Sequence, residues 1–177
     1  MSQLPLTKRR CYSNEPEESK YPEVNELREK MYNTFNVNTE KAHSAIFRGL
    51  KLVYNALNTW NFNELNDLLT NRSYNRIQAI LPNLVVLINK DLYYDKVSEE
   101  EFMNFVFLPI SRLNIKLTIP ATEIESHNNL IQFQDSVAEL LQTISNEYKR
   151  MNDLQEWLKE SKKLIKQGEQ RLSARES

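Results

Sequence analysis

Glycine is the scarcest informative residue in this 177-residue chain, which contains only Gly49 and Gly168. Phosphate-cradling loops, tight β-hairpins and doubly wound sheets need glycine where the backbone takes φ > 0 or approaches a ligand closely. Two isolated glycines exclude a G-x-G-x-x-G or Walker-type loop. A single cysteine, Cys11, excludes an internal disulfide and any CxxC metal site. Neither sign of charge dominates: 23 Lys and Arg stand against 24 Asp and Glu, for a net charge of -1. That balance argues against direct nucleic-acid contact, which calls for a basic excess. No apolar run is long enough to span a bilayer. The stretch from Met103 to Ile119 comes nearest, but Asn104, Pro109, Ser111, Arg112, Asn114 and Lys116 interrupt it. The first residues lack the apolar segment of a secretory signal. An intracellular, reducing location is therefore expected, and the sequon Asn71-Arg72-Ser73 carries no weight.

What is present reads as helix. Hydrophobic residues make up 40% and charged residues 27%, a structured composition. Residues 1–20 are polar and read as a disordered arm. Within it Lys8-Arg9-Arg10 tilts the expected location toward the nucleus, the cytoplasm being the alternative. Pro22 suits a helix first turn, and Val24, Leu27, Met31 and Phe35 follow at helical spacing. Asn36-Val37-Asn38 reads as a break, with Thr39 as N-cap of a second helix. That helix carries the stripe Ala42, Ile46, Leu50, Val53, Leu57 and Trp60, widened by Phe47 and Tyr54. A short third helix with Leu65, Leu68 and Leu69 is expected to stop at Asn71. Ser73 then caps a run through Tyr74, Ile77, Ile80 and Leu81, which Pro82 interrupts before Leu84 to Ile88. Val97-Ser98-Glu99-Glu100-Glu101-Phe102 is a strong helix start: Ser98 and Glu101 form a capping box and Val97 staples against Phe102. Leu113, Ile115, Leu117 and Ile119 alternate with polar residues between Pro109 and Pro120, so 113–119 reads as an extended connector.

The pattern with most functional content lies in the last third. Leu130, Val137, Ile144, Met151, Leu158 and Ile165 recur every seven residues. Phe133, Leu140, Glu147, Leu154, Ser161 and Gly168 follow each by three, completing the a and d positions of a heptad repeat. One long helix is expected from about Ala121 to Gln167, ending at Gly168, with a disordered tail over 169–177. Leu141, Tyr148, Trp157 and Leu164 flank the seam and widen it toward a bundle of three or four helices. The expected fold is all-α: a compact helical head over 21–119, then a coiled-coil helix over 120–168. The preceding helices look too short to cover the seam, so its apolar face calls for helices of other subunits. The expected protein interface is Leu130, Phe133, Val137, Leu140, Ile144, Met151, Leu154, Leu158 and Ile165.

Chemistry finds little support. His43 and His127 are the two histidines; Glu123 lies one turn before His127, but two ligands do not make a metal site. Cys11 sits in the polar arm with no histidine near it in sequence. No catalytic, cofactor or metal residues are assigned, and no small-molecule substrate or cofactor is expected. The resulting expectation is a non-enzymatic scaffolding subunit of an intracellular, eukaryotic multiprotein complex. The alternatives are a helical adaptor on nucleic acid or a membrane surface, and a self-contained bundle whose long helix folds back on the head.

Overall fold

The computed structural model describes residues 18–62, 71–92, 95–113 and 124–176, the side chains of 60–62, 71, 73, 74 and 124–130 excepted. Several sequence expectations fall outside these residues: the arm with Lys8, Arg9 and Arg10, the short helix at Leu65 to Leu69, the connector beyond Leu113, and the side chains of Trp60, Tyr74, Tyr93, Tyr94, Glu123, His127 and Leu130. The chain is all-α, and among the described residues there is no strand. Helix α1 spans Pro22–Phe62 and α2 spans Asn71–Leu92. A third helical run comprises α3 (Glu99–Phe102), a π-helical turn (Met103–Phe107) and α4 (Leu108–Ser111). Helix α5 spans Ile124–Glu176.

Three boundaries differ from the sequence reading, each for a physical reason. Asn36-Val37-Asn38 does not break α1, and Thr39 lies inside it rather than capping a new helix. Asparagine and threonine have only slightly poorer helix propensity than most residues. Asn38 turns its amide back to donate to the carbonyl of Thr34, 2.8 Å away. Pro82 does not interrupt α2, and that helix begins at Asn71, ahead of Ser73. Proline removes one backbone donor, but Ile77, Ile80, Leu81, Leu84 and Leu87 all bury along one side of the helix and hold it together. Gly168 does not end α5, which continues to Glu176. A glycine inside a helix costs about 1 kcal/mol, and side-chain contacts beyond Gly168 hold the last turns in place.

The chain forms two compact units, one of residues up to Thr39 with those from Asp153 onward, the other Glu40–Asn152. The larger unit, Glu40–Asn152, has a continuous core. Ile46, Leu50, Val53 and Leu57 of α1 meet Ile77, Leu84 and Leu87 of α2, Phe102, Val106 and Ile110 of the third run, and Val137, Leu141, Ile144 and Tyr148 of α5. The capping box at Ser98 forms as its residues dictate: Glu101 N–H donates to Ser98 Oγ (3.1 Å), and Ser98 N–H donates to Glu101 Oε1 (3.0 Å). Glu101 also receives Lys90 Nζ at 2.7 and 2.8 Å, tying the end of α2 to the start of α3. Val97 and Phe102 are both buried, as the staple requires. Phe102 stacks on Tyr148, and Phe107 meets Phe102 edge-on. Tyr148 hydroxyl donates to Val97 carbonyl at 2.7 Å, and burial pushes its phenol well above the ordinary tyrosine range.

Among its described residues, the smaller unit contains residues 18–21, α1 up to Thr39 and α5 from Asp153. Met31, Phe35 and Leu158 form its core cluster, with Tyr32, Leu154 and Ile165 half-buried around it. Asn25 ties the residues before α1 to its first turns. Its side chain accepts from Ser19 N–H and donates to Ser19 carbonyl, both at 2.7 Å. Arg28 pairs with Glu169 (3.5 Å), Lys20 with Glu176 (3.0 Å), and Tyr21 hydroxyl donates to Glu176. These pairings run the two segments antiparallel. They also explain why α5 outlasts Gly168. Ser19 first, then Arg28, hold the Glu169 carboxyl below the ordinary range, and Tyr21 and Lys20 do the same for Glu176.

Candidate functional site

The heptad seam occupies the inside of each unit. In the larger unit Val137 and Ile144 are buried, and Phe133, Leu140 and Met151 are half-buried against the same core. In the smaller unit Leu158 is buried, with Leu154 and Ile165 packed beside it. The side chain of Leu130 lies outside the described residues. Thus the described residues of the expected interface lie in the cores of the chain's own two units. The expectation of an uncovered seam rested on a break at Asn36–Asn38; an unbroken 41-residue α1 supplies the missing cover.

Close packing within the larger unit shows how tight that cover is. A Cβ placed on Gly49 would lie 2.5 Å from Ile144 Cγ1 and 2.9 Å from Cδ1. Gly49 therefore lets α1 approach α5 where any side chain would collide.

The flanking stripe divides differently. Leu141 and Tyr148 are buried in the larger unit, whereas Trp157 and Leu164 in the smaller unit remain 39% and 58% exposed. Leu27 of α1, which the sequence places on the buried stripe, is 54% exposed. These three share one flank of the α1–α5 pair. Arg28 with Glu169, and Tyr32 beneath Lys162 at 5.8 Å, mark the other flank. At about 100° per residue, Leu27, Trp157 and Leu164 all rotate away from it. Two packed helices cover one side of each other only, so the α1–α5 pair keeps an apolar flank of Leu27, Trp157 and Leu164 in water. Their spacing was visible in the sequence for Trp157 and Leu164; no local signal separates Leu27 from its buried neighbours Val24 and Met31.

Other concavities hold less. A cleft of about 570 Å³ in the larger unit is lined by Leu57, Phe107, Ile110, Phe133, Val137 and Leu141, with Gln134, Gln142 and Ser111 as polar neighbours. Among the described residues no ionisable group lines it. A second groove of about 440 Å³ carries mixed charge: Lys41, Arg48 and Arg150 against Glu40 and Glu147, the last pairing with Arg150 at 3.6 Å. His43 lies near Asp91, whose carboxyl is raised by burial while Lys96 and His43 oppose the shift. Among the described residues no three His, Cys, Asp or Glu side chains come together in a metal-binding group. No described helix is long and apolar enough to cross a membrane.

No protein-family model matches the chain, and no curated protein or solved structure matches it either.

Proposed function

We propose that the protein is a non-enzymatic structural subunit that joins an intracellular assembly by docking helices of other subunits on the open flank of the smaller unit. The exposure of Trp157, Leu164 and Leu27 together on a two-helix layer carries this reading. Each such side chain gains about 1.5–3 kcal/mol on full burial, and a large aromatic set among aliphatics is the usual anchor of a protein interface. One or two further helices would convert the pair into the three- or four-helix bundle that the wide stripe suits. The seam residues contribute indirectly, by fixing α5 against α1 so that Trp157 and Leu164 stand in register. Lys8, Arg9 and Arg10 favour a nuclear site of action within this reading.

The test is co-purification of tagged full-length protein from its native cells. Leu164→Glu places a charge on the flank at a position already half in water, so the fold stays intact while the interface loses its apolar continuity. Loss of the partners recovered with the wild type is the expected result. Recovery of the same partners in the same amounts overturns the proposal.

A further inference from the structure

We infer that the occupant of this flank is a second copy of the chain, docked antiparallel about a twofold axis level with Ser161 and Leu164 of α5. The inference rests on the interface reading above and specifies its partner.

Gly168 supplies the first argument. It lies inside α5, where glycine is less favourable than alanine. Gly49 is explained by Ile144, but among the described residues nothing lies within 4 Å of a Cβ placed on Gly168. The described packing therefore makes no demand for glycine there. Gly168 falls on the same flank as Trp157 and Leu164, so the missing side chain leaves a notch in the exposed apolar stripe.

The order of residues along the stripe supplies the second. From N- to C-terminus it reads Asp153, Trp157, Ser161, Leu164, Gly168, Arg171. Reversed and laid on itself, the list complements itself in size and in charge. Trp157 meets Gly168 of the second copy, Ser161 meets Leu164, and Asp153 meets Arg171. The first two pairs share one centre and the third lies within about half a residue of it, close to the single axis that an isologous contact requires. Large side chains enter places left by small ones, and the apolar centre is closed at both ends by an ion pair.

Charge along the helix repeats the pattern. Asp153, Glu156 and Glu160 outnumber Lys159 in the first part, while Lys162, Lys163, Lys166 and Arg171 outnumber Glu169 in the second. Antiparallel docking sets each acidic part beside a basic one and also opposes the helix dipoles. A parallel copy would set like beside like. The available face is also large enough. The α5 part of the smaller unit is about 36 Å long and two helices are about 20 Å wide. That is on the order of 700 Å² per copy, close to the roughly 800 Å² of a stable interface.

Sedimentation equilibrium of the full chain in the micromolar range tests the inference, with thermal melts as the check on folding. A wild-type dimer is expected. Gly168→Leu fills the notch from within, so it should give a monomer that melts no lower than the wild type. Asp153→Arg and Arg171→Asp should each weaken the dimer several-fold, up to about tenfold for two symmetry-related rim pairs. Both changes on one chain should restore it, because each new arginine meets a new aspartate. A monomeric wild type overturns the inference, as does a dimer indifferent to Gly168→Leu and to the charge exchange. A monomeric wild type whose co-purifying partners are lost on Leu164→Glu removes the second copy but keeps the interface reading. If those partners are also retained, both readings fall.

Discussion

The two glycines sit in helices of the same chain and ask for opposite substitutions. At Gly49 the missing Cβ is what lets Ile144 occupy its place. Gly49→Ala gains up to about 1 kcal/mol of helix propensity, but it must push aside a β-branched side chain in a packed core. Overpacking of that kind costs about 1–3 kcal/mol, so the variant is expected to be net destabilised. Gly168→Ala meets none of the described residues of its own chain and keeps the propensity gain, so the paired α1 and α5 are expected to be stabilised by up to about 1 kcal/mol. Urea midpoints of the two variants against wild type decide the matter, and midpoints moving in the same direction would contradict these packing assignments. The sequence set them apart only by reading Gly168 as a helix end, whereas both lie inside helices. Their difference is set by what stands opposite them in space.

Among the elements, the start of α3 shows local sequence and tertiary contact working on one side chain. Ser98 and Glu101 form the capping box that their spacing predicts. The same Glu101 also holds Lys90 across the turn from α2. The Lys90 hydrogen bond first, then the Ser98 backbone, hold the Glu101 carboxyl below the ordinary range. The folded state therefore binds a proton at this site less readily than the unfolded chain does. Its stabilising contribution is complete above the unfolded value and is lost as pH falls through the folded one. Glu101→Gln keeps an oxygen for the Ser98 N–H but loses the charge. Its urea midpoint is expected to lie below wild type at about pH 7 and to converge on it at about pH 3. A gap of equal size at both pH values would show that the ion pair contributes nothing. The π-helical turn that follows was not read from the sequence. Pro109 removes a backbone donor there, and Leu108 N–H reaches back to the Met103 carbonyl instead.

For the whole molecule, the decisive question is which apolar residues the chain covers by itself. Ile144 shows the consequence. As a seam position awaiting a partner, Ile144→Asp would remove binding and leave the fold. As a fully buried residue against Gly49, it should remove the fold of the larger unit. An unpaired buried charge costs several kcal/mol, against a total stability of about 5–15 kcal/mol for a domain. Circular dichroism is expected to show loss of the cooperative melt for Ile144→Asp and its retention for Leu164→Glu. A normal melt for Ile144→Asp would mean that α5 is not held against α1.

The sequence by itself determined the all-α class, the length of α5 to within one or two turns, the capping box at Ser98, the apolar stripe from Ala42 to Leu57 and the heptad positions of α5. Each of these depends on residues within one or two turns of one another, so periodicity and cap chemistry suffice. Tertiary structure decided what local signals cannot carry. It kept α1 whole through Asn36–Asn38, carried α2 through Pro82, and drew α5 past Gly168 to meet Lys20 and Tyr21. It also decided that Val137, Ile144 and Leu158 face inward while Leu27, Trp157 and Leu164 stay in water. A heptad states that a helix has an apolar face, and only the position of the other helices settles what covers it. Asn costs less than about 1 kcal/mol in a helix, Gly about 1 and Pro about 3, less than a packed apolar stripe returns, and so burial overrode them.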